Sequence, residues 1–289
     1  MKLKPILLYF LFFIAAIVIF LFLLFPERRV AGSLSRSLTT VNPNVRVSID
    51  KVKPGLPFKL VFENTKLLLN QTTQIVPESF EVFLGPAFIF NTKKPIAFQS
   101  DIYQGSVNGS LRLDNMDPFL FSRAELFMSK VEINDFRYKT GLADITLGCE
   151  VSGNYKQLET SGEKKSGQGT ILCKNFKAKM KNSLFNTLKL PVVDFTDIKL
   201  EFTQSEKRVI ITQCLARGSI INVKFKGSME MMSPLQNTKL DLTGMILPDS
   251  PYLAKFANTA SIKAVVKNIS KQGIGFNIKG TLKHPEIGI

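Results

Sequence analysis

Histidine and cysteine are scarce in this chain and tryptophan is missing: one His, three Cys and no Trp among 289 residues. With His284 alone, no multi-histidine metal cage can form, and any His-based catalytic triad would have to use that residue. His284 lies in LKHPEIGI, just before Pro285 and close to the C-terminus, where a turn role is expected. Cys149, Cys173 and Cys214 show no C-x-x-C spacing, and their odd number allows at most one disulfide within the chain. Cys149 alternates with Ile145, Leu147 and Val151, the pattern of a small buried hydrophobe rather than a redox centre.

Catalytic signatures are missing as well. There is no G-x-S-x-G serine elbow and no G-x-x-x-x-G-K-[ST] phosphate loop. Gly273-Ile274-Gly275 is a fragment of a dinucleotide fingerprint, and it opens onto a strand pattern instead of a helix. Carboxylates are scattered; Asp194 and Asp197, three apart in an alternating segment, are expected on opposite faces and not converging on a substrate. The expectation is a protein with no catalytic residues, no metal and no cofactor. An enzyme acting on periplasmic polymers ranks last among the function classes.

What the chain has is apolar surface. Residues 5–25, PILLYFLFFIAAIVIFLFLLF, carry no charge. As an α-helix this run spans roughly 30 Å, the thickness of a bilayer's hydrocarbon core. It is longer than the apolar stretch of a cleaved signal, and Arg28 and Arg29 precede the first small residues after it, so a retained anchor is expected. Lys2 and Lys4 on the short side favour a cytoplasmic N-terminus only weakly, because Arg28 and Arg29 lie beyond the run. The expected order is a cytoplasmic stub at 1–4, a transmembrane helix at 5–25, a juxtamembrane stalk at 26–44 and a periplasmic β-rich domain at 45–289.

Within the stalk, Val30, Leu34, Leu38 and Val41 recur at helical spacing. They fit an amphipathic helix at the membrane surface or an ordinary linker helix packed on the body. From about residue 45 the period becomes two. Ile198, Leu200 and Phe202 alternate with Lys199 and Glu201; Ile221, Val223, Phe225, Met229 and Met231 share a face; Ile274, Phe276, Ile278 and Leu282 oppose Gly275, Asn277, Lys279 and Thr281. Comparable patterns occupy 107–113, 124–133, 143–151, 207–215, 238–247 and 260–269, with short helices expected at 183–190 and 250–257.

Segments 105–133 and 218–247 repeat one plan: a glycine-rich start, an alternating strand, a turn with Pro118 or Pro234, then a second strand. The expected fold is therefore mainly β, an elongated, curved antiparallel sheet or sandwich of repeated hairpins with an N-terminal transmembrane helix and few short helices. Phenylalanine is heavily used, 24 residues against 5 Tyr, which favours a purely apolar face. Alternation reports which face avoids water and not what covers it, so a sandwich core and a lipid-lined groove both remain open.

The formal charge is +15, of which Lys2 and Lys4 supply only a small part. A tethered cationic body is drawn to anionic headgroups or acidic proteins, or its charge serves solubility alone. The basic stretch Lys164, Lys165, Lys174, Lys177, Lys179 and Lys181 has only Phe176 among it. It lacks the interleaved aromatics of a base-stacking surface and reads as solvated loop and strand faces, so no nucleic-acid partner is expected.

The layout resembles the type II secretion system protein N family of bacterial inner-membrane proteins, in its longer, AsmA-like branch. The features that carry this are the span ending at Phe25-Pro26, the stretch RRVAGSLSRSLTTV, VRVSIDKVKPGLPFKLVFENTKLLL, the module LPVVDFTDIKLEFTQSEKRVIITQC at 190–214 running into GSIINVKFKGSMEMMSPLQNTKLDLTG, and the closing GTLKHPEI. The resemblance implies an accessory inner-membrane component associated with export of folded proteins from the periplasm, with a body related to proteins linked to lipid movement between membranes.

Two readings follow from the alternating strands and the resemblance together. In the first, the chain is non-enzymatic and contacts secretion-machinery proteins of the cell envelope through an exposed strand edge or apolar patch. In the second it is an AsmA-like lipid carrier that binds acyl chains on an apolar sheet face and supports outer-membrane lipid homeostasis, with membrane lipids as its partners. Either way the candidate groove or interface comprises Ile198, Leu200 and Phe202, Ile221, Val223 and Phe225, and Ile274, Phe276 and Ile278.

Overall fold

The structure, a computed structural model, describes residues 8–10, 12, 13, 16, 19, 20, 22–41, 45–56, 58–69, 73–85, 95–113, 121–139, 144–158, 166–181, 193–219, 221–232, 235–248 and 273–288. The chain divides into two compact units, Met1–Ser100 and Asp101–Ile289.

In the first unit, helix α1 (Glu27–Val41) begins directly after Pro26, with Glu27 in its first turn where the helix dipole favours negative charge. Its Ala31 is 1% exposed, and Val30 and Leu34 pack with it against Ile49, Val52 and Phe62. Hydroxyls on the same helix bind the following chain: the Ile49 N–H donates to Ser35 Oγ at 3.1 Å and the Val47 N–H to Thr39 Oγ1 at 3.4 Å. Residues read as a stalk thus sit on β1 (Val45–Ser48) and β2 (Lys51–Gly55), with Leu38 left exposed. Strands β3 (Lys59–Glu63), β4 (Lys66–Leu69), β5 (Thr73–Ile75) and β6 (Ser79–Phe83) follow, and β7 spans Ile96–Ile102. Phe62 and Phe80 pack at a 5.0 Å ring separation beneath the helix.

The second unit is a run of hairpins: β8 (Gly105–Leu113), β9 (Phe121–Lys139), β10 (Asp144–Leu158), β11 (Ser166–Lys181), β12 (Val193–Ser205), β13 (Arg208–Arg217), β14 (Ile221–Glu230), β15 (Lys239–Pro248), β16 (Ile274–Gly280) and β17 (Pro285–Gly288). From β9 on, each strand pairs antiparallel with the one before it in sequence. Over the whole chain, fourteen strands take the order β17-β16-β15-β14-β13-β12-β11-β10-β9-β8-β7-β6-β3-β2, and β1-β4-β5 form a separate sheet of three. The chain is mainly β and antiparallel, as expected. The repeated segments correspond to hairpins β8–β9 and β14–β15.

Some expectations fall elsewhere. The turns with Pro118 and Pro234, the helices at 183–190 and 250–257 and the strand at 260–269 lie outside the described residues. Among the described residues no helix is long and apolar enough to cross a membrane. Within 5–25 the described positions up to Leu23 are helical, and large side chains such as Leu8, Phe12 and Leu23 are exposed. In the second unit the described strands follow one another as hydrogen-bonded neighbours in a single order.

Candidate functional site: an apolar sheet face

Residues directly opposite one another in an antiparallel ladder project to the same side of the sheet. The register therefore says which side chains share a face. Leu200 of β12 stands opposite Cys214 of β13, Cys214 opposite Phe225 of β14, Phe225 opposite Gly244 of β15, and Gly244 opposite Phe276 of β16. Traced the other way, Leu200 meets Ile171, Ile171 meets Gly153, Gly153 meets Met128 and Met128 meets Val107. One residue from each of nine consecutive strands forms this row, and none of them is polar.

The next row is Gly109, Leu126, Tyr155, Gly169, Phe202, Ile211, Gly227, Leu242, Ile278 and Ile287, whose one polar atom is the Tyr155 hydroxyl. On the other side, Ile198, Ala216, Val223, Ile246 and Ile274 form a third. All nine candidate residues lie on this face: Ile198, Leu200 and Phe202 from β12, Ile221, Val223 and Phe225 from β14, and Ile274, Phe276 and Ile278 from β16. Each is half-buried.

The deepest part of the face was not among those candidates. Ile211, Cys214 and Leu242 are the buried members of the cluster, with Ile198, Leu200, Phe225, Met229 and Ile278 packed against them. Ile211 and Cys214 are three residues apart, so strict alternation would send them to opposite sides. A bulge on β13 changes that: register shifts occur at Glu201/Phe202 on one neighbour and at Ile211/Cys214 on the other. Thr212 Oγ1 secures the bulge by donating to the Glu201 carbonyl at 3.0 Å. Burial pushes the Cys214 thiol up to about 11, which keeps it neutral.

Glycines on the face are covered by rings from neighbouring strands. A Cβ at Gly169 would lie 2.5 Å from Phe202 Cζ, and the Phe202 ring stacks on Tyr155 with centroids 6.3 Å apart and planes 10° from parallel. A Cβ at Gly244 would lie 2.5 Å from Phe276 Cζ and 2.7 Å from Phe225 Cβ. Rings reach over the bare backbone and keep the apolar surface continuous. Burial raises the Tyr155 phenol above its ordinary pKa.

The opposite face is mixed, with Phe127, Leu172, Ile210 and Met245 exposed among its charged and polar residues. Lys199 and Glu201 form an ion pair at 2.7 Å, and Lys224, Lys226 and Lys279 are exposed. A depression of about 540 Å³ opens over the β13 bulge, lined by Leu215, Phe225 and Met245 as well as Glu201, Lys224 and Lys226. A second, of about 800 Å³, lies at the hairpin ends, where Lys239 meets Glu230 at 3.4 Å and Arg208 donates to Ser228 Oγ at 3.2 Å. Charges of both signs line it.

The structure corrects the reading of Asp194 and Asp197. Phe195 opposes Phe176, with rings 5.9 Å apart, and Ile198 opposes Cys173; Phe195 and Ile198 both belong to the apolar side, so each neighbouring aspartate faces the opposite one. Bulges in β11 and β12 undo the alternation that spacing alone implied. Asp194 stands opposite Lys177 and Asp197 opposite Lys174. Lys174, Lys177 and Lys179 are exposed on β11, on a solvated strand face. His284 is exposed in the turn before β17, its N–H donating to Thr281 Oγ1 at 3.2 Å. Among the described residues no group of three or more His, Cys, Asp or Glu side chains is arranged to hold a metal.

Compared with known proteins, the chain matches no family model, no curated protein sequence and no solved structure.

Proposed function

We propose that this chain is a non-enzymatic lipid carrier, anchored in an inner membrane by residues 5–25, whose second unit holds acyl chains against its apolar sheet face in the periplasm. The observation that carries the reading is the unbroken row Val107–Met128–Gly153–Ile171–Leu200–Cys214–Phe225–Gly244–Phe276 across nine consecutive strands. With strands about 4.8 Å apart, nine strands extend the row over roughly 38 Å, and three rows along each strand cover about 20 Å. That footprint, roughly 750 Å² of sheet, surrounds the buried cluster of Ile211, Cys214 and Leu242 with half-buried apolar side chains. Its length is greater than the roughly 15 Å of one leaflet's hydrocarbon.

Support for the anchor comes from the uncharged run itself and from the exposed Leu, Phe and Tyr side chains on its described helical residues. Such a surface is stable in hydrocarbon and costly in water. The cationic body suits anionic lipid headgroups beside it.

A second reading, contact with secretion-machinery proteins, is favoured by one feature. Strand β17 forms the end of the fourteen-stranded order, pairs among the described strands with β16 alone, and carries Ile287 at 58% exposure, so its outer edge suits strand addition by a partner.

In-cell photo-crosslinking separates the two, with the probe at Phe276 on the apolar face and a control at Lys279 on the opposite face. Phospholipid or lipopolysaccharide adducts confined to position 276 are expected. Protein adducts at 276 with no lipid, or lipid adducts equal at both positions, overturn the carrier reading.

A further inference from the structure

Helix α1 and the ribbon that follows it run in opposite directions. The Val47 N–H donates to Thr39 Oγ1 and the Ile49 N–H to Ser35 Oγ, so the chain returns toward the start of the helix as it advances. One register carries the ribbon across the break between the two sheets, from Val45↔Leu69 and Ser48↔Lys66 to Lys51↔Glu63 and Gly55↔Lys59. The β2–β3 turn therefore lies at the end of the unit where α1 begins. The uncharged run leaves from the same end, since its last residue, Phe25, packs on the core of Ala31, Ile49, Val52 and Phe62. From the level of Ser35 and Ile49, helix geometry covers about 14 Å back to Pro26, and strand geometry about 23 Å on to Leu56. Laid along the helix, the turn reaches up to about 10 Å beyond Pro26.

The turn presents apolar side chains at this end. Leu56 is 70% exposed and Phe58 53%. With Gly55↔Lys59 as the last pair, the chain reverses within three residues, and turns of this length favour glycine at the third position, where φ is positive. Phe58 holds that position at φ 51°, its carbonyl accepting from the Leu84 N–H at 2.8 Å. Gly or Asn would turn there without strain, so the needs of the turn do not account for an aromatic ring. The lysines flanking the turn are ion-paired, Lys59 with Glu81 at 2.8 Å and Lys53 with Glu63 at 2.7 Å. Arg28 and Arg29 are exposed in the first turn of α1.

We propose that the β2–β3 turn is a second membrane contact: Leu56 and Phe58 insert into the nearer leaflet of the bilayer that residues 5–25 span, while Arg28 and Arg29 meet its anionic headgroups. Apolar side chains of an interfacial segment enter about 5–10 Å, the depth that the reach of this turn allows. Paired lysines add little charge to the inserted tip, and the exposed arginines gain from anionic lipid. A single span leaves the unit free to swivel about it; span and turn together fix its orientation on the surface.

The inference rests on the anchor within the proposed function and not on lipid carriage by the sheet face. Because the chain has no Trp, one introduced indole reports alone. Full-length Phe58→Trp and Leu56→Trp chains are each reconstituted into vesicles of phosphatidylethanolamine and phosphatidylglycerol, with some lipids brominated at a shallow or a deep acyl carbon. Leu23→Trp, within the run, and Val76→Trp, exposed farther up the ribbon after the Ile75↔Leu67 pair, are the references. Shallow bromine should quench the indoles at 56 and 58 about twofold or more, deep bromine should quench them less, and neither should reach position 76. Phe58→Asn, which relieves the left-handed strain, should fold and lower the quenching of the indole at 56.

Quenching at 23 without quenching at 56 and 58 overturns the proposal and leaves the anchor standing. No quenching at 23 overturns the anchor and the proposal with it. Equal quenching at 58 and 76, or quenching at 56 that Phe58→Asn leaves unchanged, also overturns the proposal.

Discussion

Replacing Phe276 with Asp separates the apolar face as a binding surface from the same face as a core. Phe276 is half-buried on β16, opposite Gly244, and outside the buried cluster of Ile211, Cys214 and Leu242. A carboxylate there stays hydrated while the face is empty, so the sheet should fold. Phe225→Asp is the poorer probe, because Phe225 packs directly on that cluster. Full burial of a Phe side chain is worth about 1.5–3 kcal/mol, so covering the exposed half with lipid contributes about 0.8–1.5 kcal/mol. Holding an unpaired polar group against acyl chains costs about 1–3 kcal/mol more. The sum, about 2–4 kcal/mol, corresponds to a 30- to 700-fold loss of lipid affinity at about 1.4 kcal/mol per tenfold. The assay is lipid extracted per mole of purified full chain, quantified by mass spectrometry, with circular dichroism reporting the fold. Phe276→Leu should retain lipid, and Lys279→Ala on the opposite face should match wild type. Wild-type lipid content in a folded Phe276→Asp protein would refute the reasoning.

Three further outcomes test the packing. Gly244→Val introduces a Cβ 2.5 Å from both the Lys224 carbonyl oxygen and Phe276 Cζ, so denaturant unfolding should show a loss of about 1–3 kcal/mol; unchanged stability would mean that the rings do not close over this glycine. Ala31→Leu should cost a similar 1–3 kcal/mol or so, since Ala31 is 1% exposed against Ile49, Val52 and Phe62; a neutral or stabilising effect would place α1 away from these strands. For Tyr155, burial raises the folded-state pKa above the ordinary value of 10.0, so the folded chain holds the phenolic proton more tightly. Its contribution to stability is complete below about pH 10 and declines as pH rises through the raised value. Melting temperatures of wild type and Tyr155→Phe between about pH 8 and 11 should therefore diverge, the wild type falling faster, and parallel curves would count against the burial of this ring.

The apolar face was legible where strands run without interruption. On β12, β14 and β16 the residues Ile198/Leu200/Phe202, Ile221/Val223/Phe225 and Ile274/Phe276/Ile278 alternate with polar neighbours, and the register brings all of them to one side. Where a strand bulges, the pattern misleads. Ile211 and Cys214 are the best-buried pair of the cluster but stand three apart, and the only local signal is Thr212, whose hydroxyl binds the Glu201 carbonyl. The same effect misassigned Asp194 and Asp197. It also left the bounds of β11 unset around the strand-like segment of Cys173, where Asn175 breaks the alternation and glycines and lysines replace apolar residues.

The amino-acid sequence by itself determined which residues avoid water along each strand, because side chains alternate as a local property of extended backbone. It also determined how little catalytic chemistry is on offer: a chain with a single histidine has no second one to recruit. Only the tertiary structure decided the register between strands and where it shifts, because a one-residue slip would turn every side chain to the other face and a bulge does so locally. The continuous row from Val107 to Phe276 and the rings lying over Gly169 and Gly244 follow from that register.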